Sequence, residues 1–144
     1  MSNFKYCVWF IPEDQHEWYN YTNSFIPHLT IKSKIDKSKI NEIKEFIEMI
    51  KDYKIKVELV GKLYQTCENH FYALQYNVKP LNVDKLKWWP KNAHISFRYK
   101  YNIPYTEDEI EEIDKQIKVK EGYLDKIRIY YCDGDFSSWK EIDK

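Results

Sequence analysis

The sequence predicts an α+β protein in which strands outnumber helices. Several short segments rich in β-branched and aromatic residues alternate between apolar and polar positions, the period of a half-buried strand. Two other segments carry apolar residues at three- and four-residue steps behind capping residues, a pattern typical of amphipathic helices. The order strand, helix, strand occurs at about residues 25–60 and again at about residues 93–132. We therefore expect two similar lobes within one domain that spans residues 1–144.

Two predicted strands come first in the sequence. Residues 4–11 form an aromatic and β-branched run that a proline closes, and a loop without periodicity follows it. Residues 27–32 then alternate, with His28, Thr30 and Lys32 on one side of the strand and apolar residues on the other. Alternation of this kind leaves a polar side that is available for chemistry.

An amphipathic helix and a hairpin are predicted next. Asp36 or Ser38 is the expected N-cap, and isoleucine and phenylalanine recur at helical spacing to about residue 53. The runs 55–66 and 70–78 have the composition of strands. Because their connection is short, we expect them to form an antiparallel hairpin.

The second lobe opens with a strand that matches the earlier one. Residues 93–99 alternate, with His94, Ser96 and Arg98 on one side and apolar residues on the other. Both strands thus carry a histidine, a hydroxyl residue and a basic residue at every second position. The two polar sides are our candidates for a shared site.

A capped helix and a last strand follow. Thr106, with Glu109 three residues later, predicts a capping box for a helix that runs to about residue 119. Gly122 is expected to break the chain after this helix. Residues 124–132 then form the last predicted strand.

The composition narrows the classes of function. The 144 residues include 23 basic and 23 acidic side chains, so the broad basic surface of a duplex nucleic-acid binder is not expected. Three glycines argue against a glycine-rich phosphate loop, and three widely spaced cysteines fit neither a disulfide framework nor a zinc site. No signal-peptide pattern opens the sequence and no run approaches about 18 apolar residues. We therefore expect a cytoplasmic protein that does not span a membrane.

The two polar strand sides suit the cleavage of a phosphodiester. In-line attack needs a base for the nucleophile, an acid for the leaving oxygen, and groups that hold the non-bridging oxygens. Two imidazoles can supply the acid and the base, because an unperturbed pKa near 6.5 lets one be neutral while the other is charged. A hydroxyl two residues along a strand lies about 6.5–7 Å from its histidine on the same face, where it can donate to a phosphoryl oxygen. Lys32 and Arg98 lie one step further and can neutralise phosphate charge.

These residues carry a family resemblance. The segments 27–31 (Pro-His-Leu-Thr-Ile) and 93–97 (Ala-His-Ile-Ser-Phe) resemble the two His-hydrophobic-Thr/Ser-hydrophobic motifs of the 2H phosphoesterase superfamily. That superfamily includes the bacterial RNA ligase LigT, plant cyclic phosphodiesterases, the central domain of a kinase-anchor protein and viral 2′,5′-phosphodiesterases. The resemblance covers most of the chain. It implies a two-lobed LigT-like fold, with antiparallel sheets related by a pseudo-two-fold axis, helices on the outside and a central cleft.

The resemblance also implies roles for the residues. His28 and His94 would be base and acid, in an order that stays open, and Thr30 and Ser96 would bind the phosphoryl oxygens, with no metal and no cofactor. The substrate would be a nucleotide, a cyclic nucleotide or a short single-stranded RNA. The bond cleaved would belong to a 2′,3′-cyclic phosphate, a 2′,5′-oligoadenylate or a cyclic dinucleotide such as cGAMP, as for viral enzymes that destroy immune messengers. We expect the protein to be a monomer.

Two other classes of function stay open at this point. The first is a nucleotide- or RNA-binding module on the same fold that does not turn over. The second is a structural domain with no nucleotide partner. Intact histidines and hydroxyls at both motifs favour the enzyme, because a pure binder needs no acid–base pair.

Trp88 and Trp89 are further candidates for substrate binding. They stand in the predicted loop shortly before the second motif, and aromatic faces stack on nucleobases in single-strand sites. The alternative is that they fill the core beneath that loop, the commoner place for tryptophan. His16 and His70 have no serine or threonine two residues later, and we expect them to take no part in catalysis.

Overall fold

The computed structural model of the chain describes residues 5–22, 25–83, 86–132 and 139–142. The strands within these ranges are β1 (Tyr6–Pro12), β2 (Leu29–Ile35), β3 (Ile55–Glu68), β4 (Phe71–Pro80), β5 (His94–Tyr101), β6 (Glu121–Tyr131) and β7 (Lys140–Glu141). The helices are α1 (Ile40–Ile50) and α2 (Glu107–Gln116). Phe4, where the first predicted strand begins, lies outside the described residues. No helix in these ranges is long and apolar enough to cross a membrane.

The strands form one antiparallel sheet in the order β1-β2-β5-β4-β3-β6-β7. β1 also pairs with β6 along its whole length, so the first six strands form a closed circuit. The predicted α+β class is confirmed, with the sheet predominating over the helices. β2, which begins directly after His28, and β5, which begins at His94, are neighbours in this circuit.

The two faces of the sheet differ in what covers them. One face, here called the helix face, carries the main hydrophobic core and packs against both helices; its buried side chains include Phe10, Leu29 and Ile95. Side chains alternate along a strand, so Trp9 and Thr30, which pair across β1 and β2, lie on the opposite face. We call that opposite face the motif face. Each large apolar side chain buried on the helix face stabilises the fold by roughly 1.5–3 kcal/mol, which fixes the side that each strand presents to the helices.

A local signal accounts for the start of α2. At α2, Thr106 Oγ1 accepts a hydrogen bond from the Glu109 amide at 3.1 Å, and Glu109 Oε1 accepts one from the Thr106 amide at 2.8 Å. The predicted capping box is therefore confirmed. α1 begins after a 3₁₀ turn, Lys37–Lys39. Asp36 is the N-cap of that turn and Lys39 that of α1, and neither makes a side-chain cap hydrogen bond. α1 ends earlier than the sequence pattern predicts.

Two tight backbone features position β3, β4 and β6. The β3–β4 hairpin turns at Asn69 and His70, whose φ angles of 51° and 64° suit a two-residue turn. Gly122 lies inside β6 opposite Val57, so the prediction that it breaks the chain is wrong. A Cβ at this position would lie 2.4 Å from Nε2 of His16, and only glycine leaves room for that imidazole.

Candidate active site

The two motifs meet through a single register pair between β2 and β5. Leu29 pairs with Ile95, the central residue of each motif. The antiparallel register then sets His28 across from Ser96 and Thr30 across from His94, with facing Cβ atoms about 4.5–5.5 Å apart. Each histidine therefore lies beside the hydroxyl residue of the other motif, in a local arrangement with two-fold symmetry.

The two imidazoles make equivalent hydrogen bonds to the backbone. Nδ1 of His28 lies 2.7 Å from the carbonyl oxygen of Ile26, and Nδ1 of His94 lies 2.9 Å from that of Asn92. Because a carbonyl oxygen only accepts, Nδ1 must be the donor in each ring. This assignment leaves Nε2 as the nitrogen that can take up or release a proton at the site.

His28 is buried on the motif face beneath an aromatic stack. Only 5 % of the residue is exposed, and its ring lies 3.4 Å from that of Trp9 at an interplanar angle of 10°. Tyr130 stacks on Trp9 at 4.0 Å. Burial lowers the pKa of His28 to about 3; the bond to the Ile26 carbonyl acts in the opposite direction, and the neighbouring charge of His94 adds to the lowering. His28 is therefore neutral near pH 7.

His94 is half-buried and opens onto a cavity of about 210 Å³, here called the His94 cavity. The cavity lies on the motif face of β3, β4 and β5. Its lining residues are Thr66, Cys67, Glu68, Phe71, Ala73, Gln75, His94, Ser96 and Tyr99. The two motif histidines therefore differ in their surroundings: His28 is buried, whereas His94 is in contact with a cavity.

A β-bulge follows the hydroxyl residue of the first motif. Neighbouring residues of β1 pair with Thr30 and Lys32, so Ile31 is an extra residue in β2. The bulge shifts the alternation by one position and turns Lys32 to the helix face. Its ammonium group lies 5.3 Å from the centre of the Phe46 ring, so the expectation that Lys32 shares a face with His28 is wrong.

A second bulge occupies the equivalent place in β5. Neighbouring residues of β4 pair with Ser96 and Arg98, so Phe97 is the extra residue. Arg98 donates a hydrogen bond to the carbonyl of Tyr21, away from the His94 cavity, while Tyr99 lines that cavity. The expectation that Arg98 shares a face with Ser96 is wrong for the same reason.

The two loop tryptophans lie on the helix side of the sheet. The ring of Trp88 is 6.0 Å from that of Phe10 and 6.4 Å from that of Phe46. Trp89 packs against the same core, 6.1 Å from Trp88. Trp88 and Trp89 thus follow the core-filling alternative, and the aromatic residue at the site is Trp9. Sequence reasoning missed Trp9, because only the long-range pairing of β1 with β2 brings it to His28.

A buried polar network beside Ser96 was also missed. Gln75 is 7 % exposed; its Oε1 accepts from Ser96 Oγ at 3.5 Å, and its Nε2 donates to Tyr64 Oη at 2.9 Å. A polar residue in the middle of an apolar strand was the available signal, since buried amides require partners. The network shows that the motif face is polar on the side of β4.

A larger cavity, of about 640 Å³, lies between α1 and β6, away from both motifs. Several of its charged side chains form ion pairs: Lys126 lies 3.4 Å from Asp125, and Arg128 lies 3.5 Å from Glu141. Among the described residues, no three His, Cys, Asp or Glu side chains cluster closely enough to hold a metal ion. The convergence of the two motifs therefore defines the candidate site.

No protein-family model matches the chain, and no curated protein matches it significantly.

Proposed function

We propose that the protein is a metal-independent phosphodiesterase of the 2H type that cleaves a nucleotide or RNA phosphodiester. One observation carries the proposal: two His-x-Thr/Ser motifs lie in antiparallel register about Leu29 and Ile95, with each imidazole fixed through Nδ1. Two oriented imidazoles and two hydroxyls on one face are the groups that in-line phosphoryl transfer requires.

We assign the two roles from the unequal burial of the histidines. His28 is neutral, so its Nε2 can accept the proton of the attacking water or ribose hydroxyl. His94 borders the cavity, where water can solvate its charged form, and it gives its proton to the leaving oxygen. As the new P–O bond forms and the old one breaks, one proton enters at His28 and one leaves from His94. Bound phosphate charge raises the pKa of His28 and strengthens it as a base.

The hydroxyls of Thr30 and Ser96 hold the charge that develops on the non-bridging oxygens. Each lies across from the histidine of the other motif, so a phosphorus atom between the imidazoles has a hydroxyl on either side. Lys32 and Arg98 lie on the helix face and do not contact the phosphate. The two neutral hydroxyls and the His94 imidazolium therefore stabilise the negative charge of the phosphoryl group. Such a site suits a diester with one negative charge better than a terminal phosphate with two.

Three finer features belong to the same proposal. The closed circuit of strands with helices on one face agrees with a two-lobed LigT-like arrangement about the Leu29–Ile95 pair. We further propose that the protein acts as a cytoplasmic monomer. Its substrates would be 2′,3′-cyclic nucleotides, 2′,5′-oligoadenylates, cyclic dinucleotides or short single-stranded RNA.

A cleavage assay in excess EDTA tests the proposal. The purified protein is incubated with 2′,3′-cyclic nucleotides, 2′,5′-oligoadenylate and cyclic dinucleotides, and the products are resolved by chromatography. We expect cleavage of at least one class, reduced roughly 10²- to 10⁴-fold in His28→Ala and in His94→Ala. His70→Asn is the matched control, because His70 lies in the hairpin turn at a positive φ that asparagine also adopts.

The assay also separates the other classes of function. Tight nucleotide binding without products would favour the binding module. Absence of both binding and cleavage over the whole panel would leave a structural domain.

A further inference from the structure

We propose that the His94 cavity is a subsite for a nucleobase whose edge presents neighbouring N–H donors, as guanine's does. The inference rests on the proposed function, since the base would belong to a nucleoside attached to the scissile phosphate. It assigns a ligand to groups on β3 and β4 that the acid–base chemistry does not use.

Hydrogen bonds fix the orientation of the Gln75 amide. Tyr64 donates its hydroxyl proton to Asn77 Oδ1 at 2.6 Å, so its oxygen must accept from Gln75 Nε2 at 2.9 Å. Oε1 of Gln75 therefore points towards the hydroxyls of Ser96 and Thr66, each at 3.5 Å. Bonds of that length are weak, and the oxygen keeps capacity for a ligand donor.

The remaining walls fit one planar base. Thr66 pairs with Ala73 and Glu68 pairs with Phe71, which places all four residues on the motif face. The Glu68 carboxylate is a second acceptor, and the small Ala73 side chain lies between Gln75 and Phe71 on the same wall. At about 210 Å³ the cavity is smaller than the usual range for drug-sized ligands, which suits a single base better than a dinucleotide.

The hydrogen-bond acceptors of the cavity determine which edge of a nucleobase it prefers. An ionised carboxylate only accepts hydrogen bonds, and Gln75 presents its carbonyl oxygen. Guanine offers the N1 proton and the 2-amino group side by side. Hypoxanthine keeps the N1 proton but lacks the amine, so only one of the two acceptors would gain a partner from the base. Gln75 is buried, so an acceptor left unpaired at its oxygen is costly and the amine should be selected.

A substrate pair that differs only in this amine tests the inference. We expect kcat/KM for guanosine 2′,3′-cyclic phosphate to exceed that for the inosine compound roughly ten- to hundredfold. Gln75→Met should reduce the ratio to about threefold or less. Glu68→Gln, at an exposed position that leaves the core intact, should also lower the ratio, while Glu111→Gln on α2 should preserve it. Equal rates for the two compounds would overturn the subsite and leave the phosphodiesterase proposal standing.

Binding separates the two proposals if no cleavage occurs. Calorimetry with guanosine 3′-phosphate and inosine 3′-phosphate measures the same contrast without turnover. Tighter binding of the guanosine compound, lost in Glu68→Gln, would support the subsite even where the phosphodiesterase proposal fails. Equal affinity for both compounds, or binding of neither, would overturn the subsite.

Discussion

The first motif and the second motif share their backbone and differ in their surroundings. In both, Nδ1 of the histidine binds the carbonyl two residues earlier, and a bulge follows the hydroxyl residue. His28, however, lies beneath Trp9 with 5 % of its surface exposed, whereas His94 borders a cavity. We therefore propose opposite proton transfers for the two histidines, because burial keeps His28 neutral whereas His94 borders the cavity.

Removing either motif hydroxyl is expected to have the largest effect after removal of a motif histidine. Thr30→Val and Ser96→Ala should each lower kcat roughly 10²-fold with little change in KM, because the hydroxyls act mainly on charge that develops in the transition state. Steady-state kinetics on both variants measure this. Ser33→Ala, at an exposed hydroxyl in β2, is the control. A loss at only one of the two positions would break the functional symmetry of the motifs.

Replacing Trp9, whose ring covers His28, should reduce the difference in solvent exposure between the two histidines. In Trp9→Leu, water reaches the imidazole and its pKa rises from about 3 towards the ordinary value near 6.5. A base must be deprotonated, so the acidic limb of the kcat/KM profile moves up in pH and activity at pH 5 falls roughly ten- to thirtyfold relative to pH 8. Trp9→Phe, which keeps an aromatic ring, should shift the limb less. If the acidic limb of the kcat/KM profile lies at the same pH in Trp9→Leu as in the wild type, Trp9 does not control the pKa of His28.

The same burial predicts a pH dependence of stability. The folded pKa of His28 is lowered, so between about pH 3 and 6.5 the unfolded chain binds the extra proton and the free energy of unfolding falls as the pH falls. Urea unfolding of the wild type and of His28→Asn from pH 7 to pH 4.5 isolates this contribution. The wild type should lose up to roughly 1.4 kcal/mol per pH unit more than the variant. Parallel curves would mean that His28 is not buried in its neutral form.

The smallest effect is expected at the two cations that the bulges turn away. Lys32→Ala should leave kcat/KM within about twofold of the wild type, because its ammonium lies over Phe46 on the helix face. Arg98→Ala should also preserve kcat/KM but lower stability by about 1 kcal/mol, because the bond to the Tyr21 carbonyl is lost. Kinetics and thermal melting of both variants check this. A large rise in KM for either variant would show that the replaced cation binds the substrate phosphate.

Local chemistry explains which parts of the fold were predictable from the sequence. The alternation around Thr30 and Ser96 predicted strands, and the Thr106–Glu109 capping box predicted the start of α2. Both signals lie within a few residues, where period and capping preference are strong.

The rest of the site depends on contacts between distant segments. Apolar Ile31 and Phe97 continue the alternation in the sequence, so nothing local reveals that each is the extra residue of a bulge. The stack of Trp9 on His28 likewise requires the register between β1 and β2. The local sequence pattern was sufficient to identify the histidines and hydroxyls of the site. The cross-strand register determines which other side chains lie beside them.

The central claim is that His28 is the base and His94 the acid of one site. The pH dependence of the residual kcat/KM in the two alanine variants tests it most directly. We predict that His28→Ala loses the acidic limb and keeps the basic limb, whereas His94→Ala keeps the acidic limb and loses the decline at high pH. The reverse assignment of limbs, or two variants whose bell-shaped profiles match the wild type, would contradict the account.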